Sequence, residues 1–364
     1  MSRPAPRMRF TNRKHTTSPL AMGVSVLVAL TCAACGSSPA PNSSAAPPSS
    51  SRSTATNTTS TATNGGTATN GATGTGTGAT STTALPGTGK PPVTIGDKNY
   101  TEQFLLGELY RLALQAQGYT VDLNQNIGPT DVTLQALKVG TLAMYPEYLN
   151  IFNSAIAGDS RSYADESAAY AAAQRYALAH GLQLLAPTPF SDTDAIAVTV
   201  GYAQANHLSS LDDLAKVAGS LTVGGPPQFE QTTPGLPSLE LVYGFKPAGF
   251  KALAVGDQYT ELNAGTVQAA DVGTTDGQLT SGDYRLLSDP HKVFGWGNVV
   301  PVLANSVAAT EGPAFVDTVQ RISALLSTSV MRQLNAAVDV AGQDPTAVAT
   351  QFLETHDLIP PASS

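Results

Sequence analysis

Cysteine is almost missing from this chain. Of 364 residues only Cys32 and Cys35 are cysteines, and both sit near the start. Cys32 leaves with the N-terminal segment described below, so the mature protein is expected to hold no internal disulfide and to be stabilised by its core alone. Histidine is scarce too: His15, His180, His207, His291 and His356 show no zinc-ligand spacing. There is no G-x-S-x-G elbow and no cysteine nucleophile in the mature fold, which removes the common hydrolase designs. Basic charge is outweighed, the formal net charge being −8. Nucleic acid and anionic membrane faces are therefore poor partners. Asp271, Asp276 and Asp283 lack the spacing of a calcium loop and read as surface charge. No enzyme activity, metal or cofactor is expected.

What is present begins with delivery. Arg3, Arg7, Arg9, Arg13 and Lys14 precede a short apolar run at 20–30, the pattern of a secretory signal over 1–35. That run is too short to span a bilayer. Cys32-Ala33-Ala34-Cys35-Gly36 resembles the bacterial lipobox, although Cys32 stands where leucine is usual. Cys35 is then the lipidated mature N-terminus, placing the protein outside the cytoplasmic membrane on a lipid anchor. Residues 36–92 are Ser, Thr, Gly, Ala, Pro and Asn with almost no large apolar side chain. Such a stretch buries too little surface to offset chain entropy and reads as a disordered tether. Gly74, Gly76 and Gly78 follow no strand and make no nucleotide loop.

The folded part opens on VTIGDKNYTEQFLLGELY, 93–110. Its apolar run predicts a short buried strand ended by Gly96, then a polar loop. Thr101 is placed to cap a helix with Glu102 in its first turn. Strand, polar loop and helix together form the unit that places backbone N–H groups and a few side chains around a small ligand. Further strands are expected near 120–123, 182–185, 195–200, 221–223, 266–273, 284–287 and 299–303. Helices are expected at 132–139, 163–180, 211–217, 238–243, 313–326 and 330–339. Short strands alternating with helices mean an α/β architecture.

Six segments in this order resemble the substrate-binding proteins of ABC transporters for osmoprotectants, the glycine betaine, choline and proline type. They include Ile95 to Gln103, Ala136-Leu137-Lys138, Tyr145-Pro146-Glu147-Tyr148, Leu239 to Phe245, and Thr274-Thr275-Asp276-Gly277 followed by Leu286 and Leu287. The resemblance implies a type II periplasmic-binding-protein fold: two α/β lobes joined by a two-crossing hinge. The boundaries it suggests are 93–192 for the first part of lobe 1, 193–295 for lobe 2, and 296–364 for the return segment and C-terminal helices. It further implies a monomer that binds a small quaternary ammonium or related amine and delivers it to an ABC permease in the membrane. The alternative is a ligand-sensing or wall-associated lipoprotein with the same fold and no coupling to transport.

The family holds its quaternary ammonium in a cage of tyrosines, since a cation without N–H donors is best met by π faces. Carried over by position, Lys98 and Gln103 are polar contacts, Tyr148 is one cage tyrosine, and Asp192 is an acid beside it. Asp194, Gly273 and Gly297 stand where three further tyrosines are expected, with Trp296 adjacent as a substitute. Ile151 replaces a threonine, and Gln231, Thr232 and Thr233 replace an arginine after Phe229. Lys98, Gln103, Tyr148, Asp192, Asp194 and Trp296 are the candidate ligand residues, and Tyr145 is read as core. Fewer aromatics and an added carboxylate suit a cation that keeps N–H donors. A cage rebuilt from Trp296, Tyr145 and Tyr259 is the other possibility.

Overall fold

The computed structural model describes residues 84–361. The signal, Cys35 and the tether as far as residue 83 lie outside the described residues. Residues 84–92, assigned to the tether by composition, form a turn seated on the end of the first helix. The Gly87 N–H donates to the Gln117 carbonyl at 2.9 Å, and Lys90 Nζ donates to the Thr310 carbonyl at 2.6 Å. A Cβ at Gly87 would fall 2.2 Å from the Tyr119 nitrogen, so only glycine permits this approach.

The described residues carry ten strands in two sheets. The first sheet runs in the order β2 (Val121–Asn124), β1 (Val93–Gly96), β3 (Met144–Tyr148), β10 (Val299–Ala304), β4 (Leu182–Leu184). The second runs β7 (Gly249–Ala252), β6 (Thr222–Gly225), β8 (Ala269–Gly273), β5 (Asp194–Thr199), β9 (Tyr284–Leu286). Each sheet has a parallel trio and a fourth strand running against it. In both cases a chain crossing delivers that antiparallel strand: β5 follows the first crossing and β10 follows the second. The crossings touch each other. Ser191 bridges Asn298, and the Asp192 N–H donates to the Gly297 carbonyl at 3.0 Å.

Pro146 and Pro301 face one another in the β3–β10 pair. Leu149 N–H donates to the Asn298 carbonyl at 2.9 Å, and counting by twos from there makes the proline pair a non-hydrogen-bonded one. Neither proline then deprives the other strand of a donor, which is how two can sit inside a sheet.

The helix Thr101–Ala116 buries Leu105, Leu106, Leu109 and Tyr110 against Phe315, Val319 and Leu353 of the C-terminal helices. Thr101 is its first residue rather than its cap, and its hydroxyl donates to Asp339 Oδ1 at 2.6 Å. Four elements have no counterpart in the sequence reading: β7 and the helices Val200–Ala205, Asn305–Glu311 and Pro345–Thr355. The first two helices are short and the last is rich in Ala and Thr, so packing decides them more than pattern does.

Candidate functional site

In both trios the first strand lies between its successors, in the order 2-1-3. Ligands of open α/β sheets gather beyond the carboxyl ends of strands at such a switch point. At that end β1 feeds Asp97 and Lys98, β3 ends on Tyr148, and β8 ends on Gly273. The site follows from the ends of these strands and the two crossings.

Lys98 is buried, not a solvated loop lysine. Its ammonium donates to Glu147, also buried, and to Thr130 Oγ1 at 2.9 Å. It lies 5.7 Å from the centre of the Tyr148 ring. Of its three N–H donors one remains for a ligand. Gln103 is fully buried; its Oε1 accepts from the Lys98 N–H at 3.4 Å, and its Nε2 has no partner among the described residues.

Tyr148 is 4% exposed and its ring stacks on that of Tyr100, centroids 6.0 Å apart. The Tyr148 hydroxyl donates to Glu102 Oε1 at 2.8 Å, and Asn335 Nδ2 donates to Glu102 Oε2 at 3.0 Å. The same Asn335 amide donates to the Thr275 carbonyl at 2.9 Å, and Arg332 Nε donates to the Thr274 carbonyl at 2.8 Å. The loop after β8 is thereby tied to the C-terminal helix Thr328–Asn335. Tyr100, Glu102 and Asn335 escaped the sequence reading as site residues. Glu102 lay inside the segment that carried the resemblance, while nothing local marked Asn335.

Carboxylates dominate the other side. Asp192 Oδ1 accepts from Thr274 Oγ1 at 3.3 Å. Asp276 Oδ2 accepts from the Tyr259 hydroxyl at 2.8 Å and from the Gly273 N–H at 3.1 Å. Asp194 opposes Gly273 in the β5–β8 pair, and Asp271 lies on the same face of β8. Asp271 is only 5% exposed and its Oδ1 is unpartnered among the described residues, so the surface reading of Asp271 and Asp276 is corrected. Alternation along β8 turns Asp271 inward, which isolated spacing did not show.

These acids raise one another. Burial, then Glu102, Asp276 and Asp194, push Asp192 well above the carboxylate range. Burial, then Asp276, moves Asp194 up to about 6. Burial, then Asp194 and Asp276, moves Asp271 up to about 9. Glu102 is also raised, chiefly by burial.

Two of the positions where tyrosines are expected by resemblance hold no room for them. A Cβ at Gly273 would meet Asp276 Oδ1 at 2.6 Å and Asp192 Oδ1 at 3.3 Å. A Cβ at Gly297 would lie 1.8 Å from the Asp192 carbonyl oxygen. Gly297→Ala is accordingly expected to pry the crossings apart and to cost about 1–3 kcal/mol or more. Thermal unfolding checks this, and an unchanged Tm would show that the crossings are not locked there.

Lys98, Gln103, Tyr148 and Asp192 are thus brought to one place, with Asp194 on the adjoining face. Trp296 is not with them. Its indole N–H donates to the Tyr163 carbonyl at 3.1 Å, and it shares the wall of a second cavity, about 470 Å³, with Asp194. Tyr145 is fully buried in the core, and Tyr259 serves Asp276, so no rebuilt cage joins these three.

Comparison with known proteins agrees with this layout. A family model described as the substrate binding domain of ABC-type glycine betaine transport system matches residues 91–355. The glycine betaine-binding protein YehZ of Escherichia coli (strain K12) is 30% identical over 288 residues, 75% of this chain and 93% of its own length. A glycine-betaine-binding protein of Pseudomonas aeruginosa is 31% identical over 280 residues, 73% of this chain and 88% of its own. Among solved structures, one titled as a glycine betaine/carnitine/choline ABC transporter superposes with a TM-score of 0.68 at 24% identity, over 73% of this chain and 99% of that one. Apo YehZ gives 0.63 at 30% identity, with the same coverage. The fold is the type II periplasmic-binding fold.

Proposed function

The chain belongs to the substrate-binding domain family of ABC-type glycine betaine transport systems, and from that premise we propose that it binds a small organic cation between its lobes and passes it to an ABC permease. The class is a quaternary ammonium or a related amine. The observation that carries this reading is Tyr148, fixed by Glu102, with the Asp192 carboxylate across the site. A π face opposite a carboxylate favours a cation from both sides. In this reading Lys98, Gln103, Tyr148, Asp192 and Asp194 contact ligand, and the crossings at 190–195 and 290–300 form the hinge. Lobe 2 is then 193–295, flanked by the two parts of lobe 1.

A thermal-shift screen with glycine betaine, choline, carnitine, proline and primary amines tests the class. Saturable stabilisation is expected from at least one cation, following RT ln(1 + [L]/Kd), about 2.7 kcal/mol at 100 times Kd. Asp192→Asn is expected to weaken that ligand about tenfold or more, roughly 1.4 kcal/mol. A cation that stabilises the parent and Asp192→Asn alike overturns the placement of the site.

Binding proteins of ABC importers work outside the cytoplasm, and the lipobox-like segment supports a lipid anchor on Cys35. Cys35→Ala is expected to release the protein from the membrane fraction or leave it unprocessed. An unmodified N-terminus elsewhere, found by mass spectrometry, overturns the anchor.

A further inference from the structure

A second concavity lies apart from the cation site. It encloses about 450 Å³ between residues 150–169 on one side and residues 233–242 and 291–296 on the other. Its size and its mainly apolar wall are those of a small-molecule pocket. Tyr163, Phe294 and Trp296 supply aromatic surface, and Leu241 and Val242 lie at its wall 85% and 44% exposed. Apolar side chains left open beside a cavity mark a surface awaiting cover.

The polar groups on this wall define what fits. Asp159 and Arg161 are engaged with each other, and Asp159 also accepts from the Tyr163 hydroxyl at 2.7 Å. His291 faces Asp212 at 3.8 Å. Lys292 remains: its ammonium lies 5.0 Å from the Trp296 ring centre and forms no ion pair among the described residues. The Trp296 N–H is already spent on the Tyr163 carbonyl, so the indole offers only its face. Asn153 is 3% exposed; its Nδ2 donates to the Ala169 carbonyl at 3.1 Å, while its Oδ1 has no partner among the described residues. A buried acceptor without a donor is costly, and a ligand N–H or O–H would relieve it.

We infer that this chamber binds an aromatic carboxylate bearing a ring O–H or N–H donor. The ring lies among Tyr163, Phe294 and Trp296, the carboxylate pairs with Lys292, and the ring donor meets Asn153 Oδ1. The charge preference is opposite to that of the acid-lined site, so the two places take different chemistry.

Trp296 is the only tryptophan in the chain, which makes its fluorescence a reporter of this chamber. The full mature chain is titrated with 4-hydroxyphenylacetate, phenylacetate and tyramine, exciting the tryptophan selectively. A saturable change with 4-hydroxyphenylacetate is expected, at least threefold weaker with phenylacetate and absent with tyramine. Lys292→Glu, a change at an exposed side chain, is expected to weaken 4-hydroxyphenylacetate at least tenfold. Asn153→Ala is expected to erase the preference over phenylacetate; should that variant fail to fold, Lys292→Glu still decides. Asp192→Asn strikes the cation site and is expected to keep the response, so failure of one site leaves the other standing. No saturable response, an equal response to tyramine, or indifference to Lys292→Glu overturns the assignment.

Discussion

Lys98→Ala is expected to cost about 3–5 kcal/mol of folding stability, because it strands a buried charge. The side chains of Lys98 and Glu147 are 6% and 0% exposed, so neither can turn to water when the other is removed. Thr130 Oγ1 donates to Glu147 Oε2 at 3.2 Å and the Tyr148 N–H donates to Oε1 at 2.8 Å. Two neutral donors do not replace a cation at that depth. The loss is a large share of the 5–15 kcal/mol that keeps a domain folded. Replacing both partners by apolar residues of similar size, Lys98→Met with Glu147→Leu, is expected to restore most of it. Urea unfolding of the single and double variants checks this; a Lys98→Ala midpoint matching the parent's would mean that the pair is solvated. The same pair sits beneath Tyr148, so a ligand carboxylate reaching Lys98 competes with Glu147 for the one remaining N–H.

Cation affinity is expected to climb as pH rises from about 6 to about 9, by up to tenfold per pH unit for each proton released. The window comes from Asp194 at about 6 and Asp271 at about 9, both above the ordinary 3.8. Desolvation and mutual repulsion keep these acids protonated, and a bound cation favours their ionised form. Asp194 is exposed, so solvent screens it, and buried Asp271 is expected to govern more of the effect. Without ligand the stability trend is opposite. A carboxylate held above its unfolded value stabilises the fold fully below pH 3.8, and this contribution is lost as pH rises through about 6 and about 9. Asp97, raised by burial to about 7, adds to the same slope. Calorimetry at pH 5.5, 7.0 and 8.5, in buffers of different ionisation enthalpy, reads both affinity and proton release. Constant affinity with no proton release would remove the acid set from the binding site, and Asp271→Asn is expected to flatten both slopes.

The site was partly legible because its first half is local in sequence. Lys98, Gln103 and Tyr148 fall on short segments that also carry the family pattern, and each is held by a strand end or a first helical turn. Asp192 and Asp194 were legible as acids near a crossing. Their depth depends on Asp271, Asp276 and Glu102, which lie between 77 and 92 residues away in the chain. Lys98 read as a surface lysine because the carboxylate that buries it, Glu147, comes from another strand.

The sequence alone determined the order of short strands and helices, and with it an α/β fold, because apolar runs, glycine stops and caps act over a few residues. It also determined that aromatic faces are few, since that is composition. Tertiary structure decided what replaces those faces: Gly273 and Gly297 are closed by Asp276 and by the Asp192 backbone, contacts that form only when the crossings pair. It likewise decided that Trp296 faces its own chamber. Periodicity says which way a side chain turns from its own strand or helix. What it meets there is fixed by segments far along the chain, and only packing brings those together.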